Sequence, residues 1–185
     1  MKTNQMIKRT VQVTLSIAVL ALAACSTDTK KADESNDVTK DTTAVVAEPA
    51  AKITFEDPKS AAVYEHYNHL SKALVEANSA EAQSGAAALQ TAFTEAGNSK
   101  GADLAGKVAS VKDIKAQRAE LEALTAEVEK VVKASKLTSG VIYKQYCPMA
   151  NSNQGGYWLS SESEIKNPYF GDEMLTCGET KEEIK

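Results

Sequence analysis

"DPKSAAVYEHYNHLSKALVEANSAEAQSGAAALQTAFTEAGN" runs from residue 57 to residue 98 and decides the fold, because its apolar residues recur at the period of one helix face. Asp57 can cap a first helix, and Pro58 suits its first turn. Asn78 with Glu81 reads as a capping box for a second helix, which the final Gly-Asn pair ends. The two stripes are Val63, Tyr67, Leu70 and Leu74, then Ala82, Ala86, Leu89 and Phe93. The short turn between them predicts antiparallel neighbours.

The helical pattern continues to Leu137, with Asp113 as the cap of a longer helix that includes Arg118. The apolar positions are Leu104, Val108 and Val111 in a short third helix, then Ile114, Leu121, Leu124, Val128 and Val131. The acidic residues Glu120, Glu122, Glu127 and Glu129 are expected on a solvated face. Arg118 is expected to pair with an acidic residue such as Asp113. We therefore predict a mainly α fold, an up-and-down bundle of three to four helices.

The composition changes after Leu137, where a C-terminal strap is predicted. Residues 141–146 are β-branched and aromatic, which favours an extended segment, and several Gly and Pro pairs mark turns. We expect an irregular strap with one or two short strands and little core of its own. Trp158, Tyr169 and Phe170 are expected to anchor the strap to the bundle, and the alternative is a Trp158/Tyr169 surface that meets a partner.

Several motifs in the strap resemble a known family. They are Cys147-Pro148-Met149-Ala150, Gly156-Tyr157-Trp158-Leu159-Ser160, Ile165 to Asp172, and Met174-Leu175-x-Cys177-Gly178, with a second block at Asp113 to Arg118. Together they resemble a domain-of-unknown-function family of exported bacterial lipoproteins, and the resemblance covers residues 61–178. The same domain resembles the C-terminal module on periplasmic adaptor subunits of copper/silver efflux pumps.

This resemblance implies a helical bundle, a location in the cell envelope and a role related to metals. The implied partners are an efflux adaptor or another envelope protein. The sequence also departs from the family, whose members often carry a longer stretch with histidine and aromatic residues before the second block. Here residues 97–112 are short and contain neither residue type, so any ligands from that stretch are lacking.

Four sulfur-containing residues are the candidate metal ligands: Cys147, Met149, Met174 and Cys177. Thiolate and thioether are soft ligands, which suit Cu(I) or Ag(I). The alternative is a disulfide between Cys147 and Cys177, with the methionines packed as core filler, as expected for a cysteine pair in an exported protein. The two interpretations are compatible if metal binds only the reduced form.

The histidines give little evidence of a metal site, and the sequence gives little evidence of a catalytic site. His66 and His69 stand three apart on the first helix, a spacing that suits one shared ion but also any solvated face. The sequence lacks Gly-x-Ser-x-Gly, His-Glu-x-x-His, a phosphate-binding loop and a haem attachment motif. We therefore expect no catalytic residues and no enzymatic activity.

The N-terminal region predicts the location of the protein. A basic start is followed by a mostly apolar run of 14 residues, Val11 to Ala24, which ends in Leu22-Ala23-Ala24-Cys25. This resembles a bacterial lipobox with lipidation of Cys25, and the alternative is an ordinary signal peptide. We expect an exported protein anchored by lipid, at the outer membrane and facing the periplasm. The formal charge of −4 without a basic patch argues against nucleic-acid binding.

The predicted organisation has four parts. A lipoprotein signal peptide spans 1–24, and a flexible polar tether spans 25–53 because its composition cannot support a core. The bundle and strap span 54–178, and a charged tail spans 179–185.

Overall fold

The computed structural model describes residues 52–185. The predicted signal peptide, the lipidation site at Cys25 and nearly all of the predicted tether lie outside the described residues. The helices are α1 (Pro58–Val75), α2 (Ser79–Glu95), α3 (Ser99–Ser110), α4 (Ile114–Ala119) and α5 (Leu121–Ala134), and a single irregular turn, Ala150–Asn153, follows later in the chain. The strands are β1 (Thr54–Phe55), β2 (Leu137–Ser139), β3 (Ile142–Cys147), β4 (Gly156–Ser160) and β5 (Glu179–Ile184). The fold is mainly α, as predicted.

Side-chain caps set the starts of four helices. The carboxylate of Asp57 accepts from Ser60 N at 3.0 Å, and that of Asp113 accepts from Ala116 N at 2.8 Å. The Asn78 and Asn98 side chains accept in the same way from the third residue of α2 and α3. Each such cap contributes about 1 kcal/mol to helix stability. Because these caps leave only short turns, α1, α2 and α3 pack as successive neighbours.

The predicted apolar stripes of α1 and α2 form the core. Every residue of both stripes is buried, and α5 adds its own apolar face from Leu121 to Val132. The helices α1 and α2 approach closely at Gly85, where a Cβ atom would lie 3.0 Å from Leu70 N. Small residues in α2 thus allow this close approach, and the larger residues of α1 fill the space around it.

The predicted long fourth helix is interrupted. It divides at Glu120 into α4 and α5, and the Glu120 N–H bonds to Arg118 O and Gln117 O in a tightened turn. Gln117 is fully buried, and its Nε2 donates to Ser79 O at 3.0 Å and to Val111 O at 2.9 Å. Gln117 therefore ties the short helix α4 to the first residue of α2 and to Val111, the residue that ends α3.

The predicted Arg118–Asp113 pair is wrong. Asp113 caps α4, while Arg118 Nη2 donates to Leu74 O at 2.7 Å, near the C-terminal end of α1. A helix C-terminus carries unpaired carbonyls and partial negative charge, so it competes effectively for a guanidinium.

The strap contains more sheet than predicted. Strands β4, β3 and β5 form an antiparallel sheet in that order, with Cys147 opposite Gly156 and Ile142 opposite Ile184. The residues predicted as a charged tail thus supply strand β5. Its sequence, ETKEEI, shows no alternation of apolar and polar residues, and almost all of these residues are exposed. The segment is therefore a strand because its backbone pairs with β3. A separate pair, β1 with β2, joins the start of the domain to the chain after α5.

The three-stranded sheet lies between α5 and its own covering loop, defined here as residues 161–178. On the helical side, Lys144 Nζ bonds to Glu129 of α5 at 2.7 Å. On the other side, Gln145 Nε2 donates to the backbone carbonyls of Glu162 at 3.0 Å and Ser163 at 3.3 Å. The buried residues of the strap, Trp158 and Leu159 among them, belong to the same core as those of the helices. Among residues 52–185, no helix has the length and apolar character needed to cross a membrane.

Glu127 of α5 is a buried carboxylate within the bundle. It bonds to Lys130 Nζ at 2.8 Å and Lys100 Nζ at 2.9 Å, and Asn98 Nδ2 lies 3.3 Å from it. These hydrogen bonds, that of Lys130 above all, lower the pKa of Glu127 to about 2. The sequence places Glu127 on a solvated face, and this is wrong because α3 packs over this part of α5.

The Glu127 carboxylate predicts a specific loss of stability in acid. Because its folded pKa is depressed, its contribution is fully present above pH 4.5 and is lost as the pH falls towards 2. The free energy of unfolding should fall by about 1–2 kcal/mol more in the parent chain than in Glu127→Gln between pH 6 and pH 2.5. Urea unfolding at a series of pH values measures this difference.

The control is Glu95→Gln, since Glu95 is exposed at the end of α2. This variant should follow the pH profile of the parent. Parallel profiles for the parent and Glu127→Gln would contradict the assignment.

Candidate functional site

The two cysteines of the strap are in contact. Cys147 is the last residue of β3, Cys177 lies just before β5, and their Sγ atoms are 2.7 Å apart. Cys147 is 0% exposed, whereas Cys177 is partly exposed. The pairing of β3 with β5 brings these residues together across 30 positions of sequence. The arrangement suits a two-electron oxidation that links the two sulfurs.

The contact also affects protonation. The hydrogen bond with Cys147 raises the pKa of the Cys177 thiol, and partial burial adds to this effect. Nucleophilic attack and metal binding both require a thiolate, so a raised pKa disfavours the reactive form at neutral pH.

The two methionines differ in exposure. The Met149 side chain is 47% exposed and is the large hydrophobic residue that the described part of the chain leaves open to solvent. Met174 is partly buried after the 3₁₀ turn Gly171–Glu173, and its carbonyl accepts from Cys177 N at 3.0 Å. Within residues 52–185, no group of three or more His, Cys, Asp or Glu side chains is placed to hold a metal ion.

The aromatic residues of the strap are packed inside it. Trp158 is 1% exposed and Tyr169 is 7% exposed, and their rings meet edge to face at 6.2 Å. Phe170 is partly buried against the main core. Trp158 and Tyr169 therefore join the sheet to the covering loop and present little surface to a partner.

Asn167 organises the covering loop. It is fully buried, its Nδ2 donates to Cys177 O at 2.8 Å, and its Oδ1 accepts from Tyr169 N at 2.9 Å. Its backbone N–H donates to Leu175 O at 2.8 Å, and its carbonyl accepts from Gly171 N at 2.9 Å. One side chain thus holds the chain beside Cys177. In the sequence this residue is only the first half of an Asn-Pro turn, so its central position was not predicted.

Glu122 of α5 connects the bundle to the strap. Its Oε2 accepts from Tyr157 N at 2.6 Å and lies 2.8 Å from the Tyr169 hydroxyl, which is also 2.7 Å from Tyr157 O. Burial raises the pKa of Tyr169, and the Glu122 charge adds to the shift. The prediction of a solvated Glu122 is wrong, because the carboxylate is partly buried against β4 and accepts from its backbone.

The two histidines do not share a site. His69 Nε2 lies 2.6 Å from Glu81 Oε1 and links α1 to α2 at the surface. His66 lies one turn earlier and is partly buried. His69 therefore contributes to the packing of α1 on α2.

A cleft of about 690 Å³ lies between α1 and the sheet with its covering loop. Its apolar lining comes from Val75, Trp158, Leu159 and Leu175, and charged residues of both signs, including Lys72, Glu76, Glu162, Lys166 and Asp172, line the rest. This volume is within the range of small-molecule sites. The covering loop forms one wall, so the cleft depends on how that loop is held.

The comparisons with known proteins place part of this chain in context. Residues 63–140 match the family model described as "Protein of unknown function (DUF3347)". The match supports the predicted resemblance to a domain-of-unknown-function family, and it spans most of α1 and all of α2 to α5. The strap motifs from Cys147 to Gly178 lie outside the matched range. The searches of curated proteins and of solved structures gave no match.

Removal of the Asn167 side chain should loosen the strap without unfolding the helices. Asn167→Ala leaves Cys177 O and Tyr169 N without their buried partners, which should destabilise the chain by about 2–3 kcal/mol. Urea unfolding followed by tryptophan fluorescence measures this loss, because Trp158 is the single tryptophan and lies under the covering loop.

The matched control is Gln154→Ala, since Gln154 is exposed. Its effect should stay within about 0.5 kcal/mol. Equal effects of the two substitutions would refute the role of Asn167.

Proposed function

We propose that the protein is a lipid-anchored module of the bacterial cell envelope that acts by binding, without catalysis, and whose C-terminal sheet is closed by a Cys147–Cys177 disulfide. The observation that supports the bridge is the 2.7 Å contact between the two sulfur atoms. The predicted export route supports it too, because disulfides persist outside the cytosol. Closing a loop of this length contributes about 3–4 kcal/mol in the chain-entropy model.

The proposed binding role is based on the covering loop, which the bridge would hold in place. Cys177 and Asn167 fix the covering loop, and that loop forms one wall of the cleft beside α1. A small domain with an alanine-rich core gains from such a closure, since it keeps a preformed cleft at low entropic cost. The proposed partners are envelope components, an efflux adaptor among them.

A second candidate is binding of a soft metal, Cu(I) or Ag(I), by the reduced protein. The partly exposed Cys177 in contact with Cys147 favours it, because two thiols form a soft two-sulfur donor set. In the reduced chain these two cysteines would be the ligands, and Met149 would be the thioether nearest to Cys147 in the sequence. The bound ion would supply no catalysis here, only storage or transfer of the metal.

The thiol state distinguishes the two candidates. The full-length chain, expressed in a Gram-negative bacterium, is quenched in acid and alkylated, and its peptides are measured by mass spectrometry. We expect a linked pair of peptides that contain Cys147 and Cys177, with label on both residues only after reduction. Cys25→Ser is the matched control and should keep the bridge.

Two outcomes would overturn these candidates. Free thiols in the isolated envelope protein would contradict the disulfide module. Titration of the reduced chain with Cu(I), against a chromophoric chelator, tests the second candidate. One ion per chain, lost in Cys177→Ser, would support it, and no binding by the reduced chain would refute it.

The lipid anchor has its own test. Cys25→Ser removes the thiol that would carry the lipid, so this variant should move from the membrane fraction to the soluble periplasmic fraction. Immunoblots of fractionated cells and the intact mass of the mature chain measure the change. Retention of Cys25→Ser in the membrane fraction would contradict lipid anchoring at this residue.

A further inference from the structure

We propose that the cleft beside α1 binds an uncharged, largely apolar small molecule that carries a hydrogen-bond acceptor, and that the indole N–H of Trp158 donates to this acceptor. This inference rests on the proposed binding role and names the chemical class of ligand for the same cleft. The class comprises amides, ketones and esters with an apolar body, as opposed to carboxylates, phosphates and amines.

The indole N–H of Trp158 is a buried donor that lacks an acceptor. Trp158 is 1% exposed and lines the cleft, and its Nε1 has no hydrogen-bond partner among residues 52–185. A buried tryptophan N–H usually has a partner, because burial removes its hydrogen bond to water and an unpaired donor gains nothing in exchange. An acceptor bound in the cleft would supply the missing partner, so the unpaired donor points to a ligand.

Other polar groups of the cleft already bond within the protein. Asn68 Nδ2 donates to Ser161 Oγ at 3.2 Å, and Ser160 Oγ donates to Glu162 O at 3.0 Å. These groups are satisfied without a ligand, whereas the Trp158 N–H is not satisfied by any of the described residues. Recognition of an acceptor is therefore assigned to Trp158.

The walls of the cleft indicate that the body of the ligand is apolar. Val75 of α1, Leu159 of β4 and Leu175 of the covering loop contribute apolar surface, together with Trp158 itself. The volume of about 690 Å³ is sufficient for a molecule of drug size. In such sites apolar burial supplies most of the affinity, and a few polar groups fix the orientation of the ligand.

The charges of the cleft argue against an ionic ligand. Carboxylates outnumber lysines in its lining by three to two: Glu76, Glu162 and Asp172 against Lys72 and Lys166. Lys166 pairs with Glu162, and Lys72 Nζ lies 3.9 Å from Glu76 Oε1. Because each lysine has a carboxylate of its own, the excess of negative charge disfavours an anion. An ammonium group has no acceptor to offer the Trp158 N–H, so a simple amine would leave that donor unpaired.

Titration with three matched probes tests the ligand class. Hexanamide, hexanoate and hexylamine share one apolar body and differ only in the head group. The protein is the full-length chain with Cys25→Ser, which needs no detergent that would compete for apolar probes. Trp158 is the single tryptophan, so a nitrogen-15 spectrum contains one indole N–H signal, which reports directly on the proposed bond. We expect a saturable downfield shift of this signal with hexanamide, and binding of the other two probes about fivefold weaker or less.

A substitution at Trp158 tests the hydrogen bond itself. Trp158→Phe keeps an aromatic ring and removes the N–H, so it should weaken hexanamide binding about fivefold and leave hexylamine binding unchanged, as followed at the backbone signals of β4. Tyr146→Phe is the matched control, since Tyr146 does not line the cleft, and it should bind as the parent does. The indole signal of the parent gives its own answer, so the test does not depend on the folding of Trp158→Phe.

The absence of a saturable indole shift with hexanamide, or tighter binding of hexanoate, would overturn the proposed ligand class. Alkylation of the same sample measures its thiol state. A bridged chain that does not bind hexanamide would overturn this inference alone. Free thiols in a chain that binds hexanamide would support the ligand class and refute the disulfide module, so the two failures are distinguishable.

Discussion

The hydroxyl group of Tyr67 holds the helices and the sheet together. It lies 2.8 Å from Thr125 Oγ1 of α5 and accepts from Leu159 N of β4 at 3.1 Å, so α1, α5 and the sheet meet at one buried oxygen. Burial raises the pKa of Tyr67 to about 12, which keeps this hydroxyl neutral and able to donate at any physiological pH. The ring packs within the core while the hydroxyl satisfies a strand N–H that no other strand reaches.

Directed polar contacts of this kind recur where the bundle meets the strap and also within the bundle itself. An alanine-rich core offers modest apolar burial, and acidic residues of α5 supply directed contacts instead. Glu122 accepts a hydrogen bond from the backbone of β4, and Glu129 forms an ion pair with Lys144 of β3. Glu127 bonds to Asn98 and Lys100 at the start of α3. Each contact selects one partner with defined geometry. Buried polar groups of this kind specify an arrangement more than they add stability.

The covering loop links these buried polar contacts to the thiol pair and to the cleft. Asn167 satisfies four backbone or side-chain bonds within the loop and fixes the chain beside Cys177. The thiol pair then joins that loop to β3, and the loop walls the cleft next to α1. A single covalent bond at this point would therefore influence both the edge of the sheet and the shape of the cleft. Cys147 and Cys177 are therefore of interest because a bond between their sulfur atoms would act on the sheet and on the cleft together.

Local patterns in the sequence determined the helices. The caps Asp57, Asn78 and Asp113 and the apolar stripes of α1 and α2 are encoded within a few residues, so their positions could be predicted. The pairing of Cys147 with Cys177 was predicted only as one of two alternatives. The roles of Asn167 and Glu122, and strand β5, could not be predicted, because each depends on a partner far along the chain. The spacing of apolar residues along the chain indicates which face a helix buries. Only the tertiary structure decides which distant backbone group a buried carboxylate, amide or thiol will meet, since that contact forms after the elements have packed.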